Sequence, residues 1–267
     1  MPYLRAFSQS HLAVAPDNRG FGESAKPPHT ADYDIQHLIA DVVSLAAHFS
    51  AKPITLVGHD WGGIVAWHVA ARFPQLVKRL VILNAPHPTL FRQTLLHNAA
   101  QRAASQYIMR LRDHHCEARI QALGLETFWM SIFATHLASH AISLAHKQQQ
   151  LDTWRADGAL TAMLNWYRAS PYVVPTSEAD VESQAEPHQQ MTTNALPKIA
   201  LPTLVIWGLQ DPMLLPCQLE GLADYASPLT IKTLATAGHG LLHEMPLDII
   251  RLIQDFIDDT SSNVNIK

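Results

Sequence analysis

The chain has 267 residues, a formal net charge of −4, a hydrophobic content of 48% and a charged content of 16%. This is enough sequence for one large α/β domain or for a core with an inserted cap, and the balance is that of an ordinary globular protein. It excludes a basic field that would hold nucleic acid or anionic lipid, and no apolar run approaches the roughly 20 residues of a membrane span. The opening MPYLRAFSQSH has no apolar stretch followed by a small-residue cleavage site, so a cytoplasmic location is expected. Cys116 and Cys217 are far apart and form no metal motif; they read as free thiols in a reducing compartment. The 16 histidines are scattered, and His114-His115-Cys116 reads as a solvated loop because no second ligand cluster accompanies it.

In chain order, Met1 to Ser8 reads as the end of an amphipathic helix and Leu12 to Ala15 as a short strand. Asp17 to Ser24 is a glycine-rich loop. It has neither G-x-G-x-x-G nor a P-loop lysine, so phosphate binding is not expected. Asp34 to Phe49 carries Ile35, Leu38, Ile39, Val42, Val43 and Leu45 at helical spacing. Ile54 to Val57 is a short apolar run rich in β-formers and reads as a buried strand. Ile64 to Phe73 is helical and ends before Pro74. A strand follows over Arg79–Leu83. Thr89 to Ser170 is helical and rich in aromatics, among them Phe91, Phe128, Trp129, Phe133, Trp154 and Trp166. Pro171 to Pro197 is polar and proline-bearing and reads as a flexible return loop. Strands are predicted over Thr203–Trp207 and Leu229–Leu234, a helix over Pro246–Asp258, and a frayed tail SSNVNIK.

The residues between the strand at 54–57 and the helix at 64–73 are Gly58-His59-Asp60-Trp61-Gly62-Gly63. This has the form of a nucleophile elbow, G-x-Nu-x-G between strand and helix. The turn is sharp enough that the residues flanking the nucleophile must be small, which predicts the need for Gly58 and Gly62. The central residue is Asp rather than Ser. An aspartate is ionised at neutral pH and needs no base for its attack, but it is a weak nucleophile. It suits displacement at an sp³ carbon with a good leaving group, namely a strained epoxide or a carbon–halogen bond. The product is an alkyl-enzyme ester that a base-activated water can hydrolyse.

On GHDWGG the chain resembles the α/β-hydrolase superfamily and, within it, the epoxide hydrolase branch. The resemblance implies an α/β-hydrolase core, residues 1–88 and 196–267, with a helical cap and return loop at 89–195. Residues 19–24 are similar to the superfamily's RGxGxS turn, which is structural, and NAPHP at 84–88 is similar to the exit from core to cap. The chain order nucleophile, acid, His is met by Asp60, by Asp211 in WGLQD and by His239 in AGHGLLHEMP. Imidazole is the side chain suited to activating the hydrolytic water near neutral pH, and Asp211 would fix its tautomer. His243 is the competing base. The resemblance also implies two cap tyrosines that hydrogen-bond the epoxide oxygen. Tyr167 lies in the matching NWYR, and Tyr107, in ASQYIM, is the tyrosine earlier in the cap. The backbone N–H of Trp61 is expected to help hold the oxyanion during ester hydrolysis.

The superfamily's H-G-x-P loop and first three strands have no counterpart in the sequence. The expectation is that Met1 is an internal start and that the full protein carries about 30 more residues, three strands with their turns. Losing the neighbouring strand would leave an edge or gap beside Ile54–Val57. The function expected is hydrolysis of a small apolar epoxide to a vicinal diol, with no metal or organic cofactor. A haloalkane or haloacid dehalogenase with the same nucleophile, and an inactive truncated relative that only binds apolar ligands, stay open as alternatives. Substrate identity, regiochemistry and oligomeric state, a homodimer included, are not encoded in these motifs.

Overall fold

In a computed structural model of the protein, residues 2–185 and 196–259 are described. The tail SSNVNIK and part of the expected return loop therefore lie outside the described residues. Helices are α1 (Pro2–Phe7), α2 (Ile35–Phe49), α3 (Trp61–Arg72), α4 (Pro88–His97), α5 (Ala99–Ala104), α6 (Tyr107–Arg112), α7 (Cys116–Leu123), α8 (Leu125–Ala138), α9 (Leu144–Arg155), α10 (Ala159–Ala169), α11 (Glu178–Ala185), α12 (Leu241–Glu244) and α13 (Pro246–Asp258). The described strands are β1 (Ile54–His59), β2 (Val77–Leu83), β3 (Thr203–Gly208) and β4 (Leu229–Leu234).

The chain divides into two compact units, residues 1–38 with 107–173 and residues 39–106 with 174–267. The second unit holds the sheet. Its strands run parallel in the order β1-β2-β3-β4. β2 from Leu80 to Leu83, LVIL, and β3, TLVIWG, are almost continuously apolar, as parallel strands covered on both faces require. Leu80, Val81, Ile82, Val205 and Ile206 are all fully buried. β1 and β4 are the outer strands and are more exposed, with Val57 at 45% and Ile231 at 38%. All four strands point their C-terminal ends to one edge, where His59 pairs Leu83 and Gly208 pairs Leu234. That edge is where an open α/β sheet presents its site. α13 presents Ile249 and Ile253, one turn apart on one face, as its buried residues.

In the first unit, Trp166 and Asn165 of α10 hold the segment 19–30. The Trp166 indole donates to the Arg19 carbonyl at 2.9 Å and stacks edge-on against Phe21. The Asn165 amide donates to the Pro28 carbonyl and accepts from the Thr30 hydroxyl. Arg168 pairs with Glu117 across to α7. Trp129 is fully buried among Ile142, Leu151, Phe133 and Trp154, so most of the aromatics of the helical region serve to pack helices on one another.

Two expectations are corrected. Leu12–Ala15 is not a strand: it has no ladder partner, and Leu12 is 73% and Val14 44% exposed. A short β-forming run becomes a strand only where a neighbour satisfies its backbone. The stretch from Pro171 is not loop throughout, because α11 interrupts it. The helix starts with a reciprocal capping box: the Asp180 N–H donates to the Ser177 hydroxyl and the Ser177 N–H to the Asp180 carboxylate.

Two histidines in the second unit, one buried and one half-buried, contribute to the protein's response to acid. His87 is 1% exposed, stacks on Tyr225 with ring centroids 4.4 Å apart, and has no protein partner at either ring nitrogen. Burial, then the neighbouring charge of His68, pushes its pKa down to about 3. Burial, then Arg72, pushes His68 down to about 4. Both groups bind protons more readily in the unfolded chain, where the pKa is about 6.5. Their contribution is therefore full above pH 6.5 and is lost as pH falls toward 4. Between pH 6 and 4.5 the unfolding free energy should drop by about 1.4 kcal/mol per pH unit for His87, and by less for the partly exposed His68. Denaturant melts across this range should show His87→Phe flattening the slope by about one proton; an unchanged slope would disprove the assignment.

Candidate active site

The site starts from one backbone turn. Asp60 closes β1 and precedes the first residue of α3, at φ 49° and ψ −124°. This is a conformation in which a side chain other than glycine is strained. Hydrogen bonds on both sides hold it: the Asp60 N–H donates to the Leu83 carbonyl at the end of β2, and the Asp60 carbonyl accepts from the N–H groups of Gly63 and Ile64. The turn brings the strand and the helix into contact. A Cβ on Gly58 would lie 2.5 Å from the Gly62 carbonyl oxygen, and one on Gly63 would lie 2.3 Å from the Ala85 side chain. A Cβ on Gly62 would meet nothing within 4 Å. The expectation that both glycines flanking Asp60 are sterically required is thus corrected: the close approach falls on Gly58 and Gly63, because the chain already turns outward at Gly62.

The sheet register brings the other residues to the same edge. His239 lies in the loop after β4 and Asp211 in the turn after β3. The His239 Nδ1–H donates to Asp211 Oδ2 at 2.7 Å, and His239 Nε2 lies 3.6 Å from Asp60 Oδ1. Asp60, His239 and Asp211 thus form one line, with Nε2 as the free base. His243 lies on α12, and it is His239 that bonds Asp211. The first residue of α3 is Trp61. Tyr107 and Tyr167, both in the other unit, come together with ring centroids 6.2 Å apart at 79°.

Asp211 is 2% exposed. Burial works against its charge, but hydrogen bonds from His239, the Leu214 N–H and Asn84 outweigh it and hold the carboxyl below its ordinary value. Its Oδ1 accepts from the N–H groups of Met213 and Leu214, and its Oδ2 from the Asn84 amide at 2.6 Å as well as from His239. For His239, burial again disfavours the charged form. The hydrogen bond to Asp211 and the charges of Asp60, Asp211 and Glu244 prevail, and its pKa lies above 6.5.

Asn84, His59, Gln101 and Glu244 were not singled out from the sequence. Asn84 is fully buried, at φ 35°, and joins the ends of β2 and β3 by accepting from the Gly208 N–H at 2.7 Å while donating to Asp211. The signal was a polar residue between a buried strand and a proline. Gln101, on α5, is fully buried and grips the acid turn: it donates to the Met213 carbonyl and accepts from the Leu215 N–H. The Glu244 carboxylate accepts from the Gly238 N–H beside His239. His59 contacts the His239 carbonyl.

A family model described as alpha/beta hydrolase fold matches residues 4–246. The chain belongs to the α/β-hydrolase fold family. A solved structure from a set of novel epoxide hydrolases of this superfamily, found in metagenomes from hot environments, superposes with a TM-score of 0.84. It is 36% identical, over 97% of this chain and 85% of that one. Epoxide hydrolase 3 of Xenopus tropicalis is 28% identical over 264 residues, 96% of this chain and 66% of its own length. A haloalkane dehalogenase of Mycolicibacterium paratuberculosis is 32% identical over 201 residues, 75% of this chain and 59% of its own. Within the family the chain falls on the epoxide hydrolase branch, among enzymes of that type, and it spans about two thirds of the length of the first of these curated relatives.

The elbow geometry predicts an ordered series of alanine substitutions. Gly58→Ala and Gly63→Ala should each cost more than 1–3 kcal/mol, because the clash is with backbone or with a packed side chain. Gly62→Ala should be neutral or stabilising by up to about 1 kcal/mol, the helix preference of Ala over Gly. Thermal melts of the three variants check the order.

Proposed function

We propose that the protein hydrolyses a small apolar epoxide to a vicinal diol through an ester on Asp60. The observation that carries this reading is the line Asp60–His239–Asp211, with a carboxylate rather than a hydroxyl at the strained elbow and 3.6 Å between it and the base. That distance is too long for a hydrogen bond, so Nε2 is not tied to the carboxylate and can turn to a water.

In this reading one Asp60 oxygen attacks an epoxide carbon and the carbon–oxygen bond of the ring breaks. Tyr167 and Tyr107 hydrogen-bond the departing oxygen and supply its proton. The product is an alkyl ester with a free hydroxyl on the adjacent carbon. His239 then takes a proton from a water that attacks the ester carbonyl, while the Trp61 N–H holds the oxyanion. Collapse expels the second oxygen of the diol, which takes one of the two protons of the water, from the imidazolium; the other proton restores the tyrosine that protonated the ring oxygen, and Asp60 returns as a carboxylate carrying one oxygen from water. Asp211 keeps the His239 Nδ1 protonated throughout and stabilises the imidazolium. No metal or organic cofactor enters these steps. The helices between residues 89 and 185 act as the cap of this scheme, and the protein works in the cytoplasm, in keeping with its two thiols.

The epoxide is favoured by the printed names of the epoxide hydrolase relatives and by the tyrosine pair. The second reading, haloalkane dehalogenation, is favoured by the dehalogenase relative, since the same nucleophile and base serve both reactions. The pair Tyr107–Tyr167 weighs for the epoxide, because an alkoxide needs a proton donor and a halide does not.

Three outcomes test the reading. Asp60→Ala should abolish turnover of a panel of aryl and alkyl epoxides; any remaining diol formation would sink the mechanism. His239→Gln should accumulate the ester, seen by peptide mass spectrometry as an adduct on the peptide bearing Asp60, while halide release from haloalkanes without diol formation would favour the second reading. The ester also neutralises Asp60, one of the charges that raise His239. The pH at which ester hydrolysis reaches half its maximal rate should therefore lie below the pKa of His239 in the resting enzyme, read by NMR titration, with the rate rising as pH rises. Equal values would contradict the charge coupling.

A further inference from the structure

His59 and Asp60 are consecutive, and both reach His239, one at each end of the residue. Asp60 Oδ1 is 3.6 Å from the ring Nε2, and His59 Nε2 is 2.9 Å from the main-chain carbonyl oxygen. The two imidazole centroids are 4.9 Å apart with their planes inclined at 44°. A carbonyl oxygen only accepts, so His59 Nε2 carries the proton and donates it. The other ties on this loop come from elsewhere. The Gln210 N–H donates to the Ala237 carbonyl, the Gly238 N–H to the Glu244 carboxylate, and the His239 Nδ1–H to Asp211. These anchor the loop to the turn after β3 and to α12. The bond from His59 anchors it to β1, the strand that delivers the nucleophile.

We infer that His59 is a positioning residue that sets the separation of nucleophile and base, and that it acts chiefly in the hydrolysis of the ester. Because His59 and Asp60 are adjacent in the chain, any shift of β1 moves both together and carries the His239 main chain along. The gap that must admit a water thereby keeps its width. The demand is sharper in the second step than in the first. Asp60 attacks without the base, whereas water must be within reach of His239 Nε2 and of the Asp60 carbonyl carbon at once. A donor at position 59 must also be uncharged, since a second cation would oppose the imidazolium that His239 becomes. Burial, then the proximity of His239, depresses the His59 pKa to about 4, which meets that condition. The charged and titratable groups facing His239 are Asp60, Asp211, Glu244 and His59 itself.

This inference rests on the ester mechanism proposed above, so the test reads the two separately. Wild-type protein is mixed with a slight excess of an aryl epoxide, and ester formation and decay on the Asp60 peptide are followed by quenched-flow mass spectrometry. Absence of any ester in the wild type, and in His239→Gln, overturns the mechanism; the positioning role is then judged from the titration described next. If the ester forms, His59→Leu should form it at a rate close to wild type and hydrolyse it on the order of 10- to 100-fold more slowly, with kcat and KM falling together. His59→Gln, whose amide N–H spans a similar reach, should restore most of the rate, and His59→Asn, whose amide is too short, should not. Ester decay at the wild-type rate in His59→Leu or His59→Asn overturns the inference, as does equal loss in the Gln and Asn variants. Independently of turnover, NMR titration should show the His239 pKa falling toward 6.5 in His59→Asn, as the loop loosens from Asp60 and Asp211, and unchanged in His59→Gln. A pKa that does not move in His59→Asn is a contrary result.

Discussion

The turn at Asp60 is the constraint on which the rest depends. A backbone at φ 49° and ψ −124° costs on the order of 1–3 kcal/mol and persists only where its surroundings over-determine it. Here they do so from three directions. The carbonyl of β2 receives the Asp60 N–H, the first turn of α3 closes on the Asp60 carbonyl, and the contact of Gly58 with Gly62 leaves no room for the strand to draw back. The strain has a use. It sets the carboxylate at the end of the sheet, within reach of a histidine that arrives from β4, two strands beyond β2.

Between those outer strands the central pair supplies a polar joint. β2 from Leu80 onward and β3 are apolar, and each ends in backbone groups that must be satisfied inside the protein. Asn84, which follows β2, does this for the end of β3 by accepting from the Gly208 N–H, and its amide donates to Asp211. The acid is thus fixed by donors from three places: Asn84 after β2, the main chain of its own turn, and His239 after β4. Gln101 adds a fourth element by tying α5 to that turn. Such a buried carboxylate is stable as an anion because each lone pair faces a donor, and its charge is what fits His239 to receive a proton.

What was legible in the sequence follows from locality. Strands β1 to β4, the helices that flank them and the positions of Asp60, Asp211 and His239 are marked by runs, glycines and prolines within a few residues of each feature. Asn84, His59, Gln101 and Glu244 owe their roles to partners far along the chain, up to 180 residues away in the case of His59. No short window records such a contact. The misread strand at Leu12–Ala15 failed for a related reason, since β-propensity states what a segment would pair with, and not whether the partner is there. Gly62 was misjudged on a finer scale. The motif fixes that the turn is tight, but which glycine bears the contact depends on the direction in which α3 leaves. The cap at α11 is the opposite case, since its Ser177–Asp180 signal lies within the segment itself.

β1 is anchored to the described sheet along one side only, with Val57 turned to solvent, while β2 and β3 are enclosed. The Asp60 carboxylate therefore hangs from one of the two outer strands, and Asp211 from one of the two enclosed ones. In such an arrangement local opening requires far less free energy at the periphery than at the centre. Amide protons of Ile54–Val57 should exchange with solvent long before those of Leu80–Leu83, and warming would release the nucleophile from register while most of the protein is still folded. Loss of activity and loss of structure would then part company on heating, and the margin between them would measure how firmly one outer strand is held.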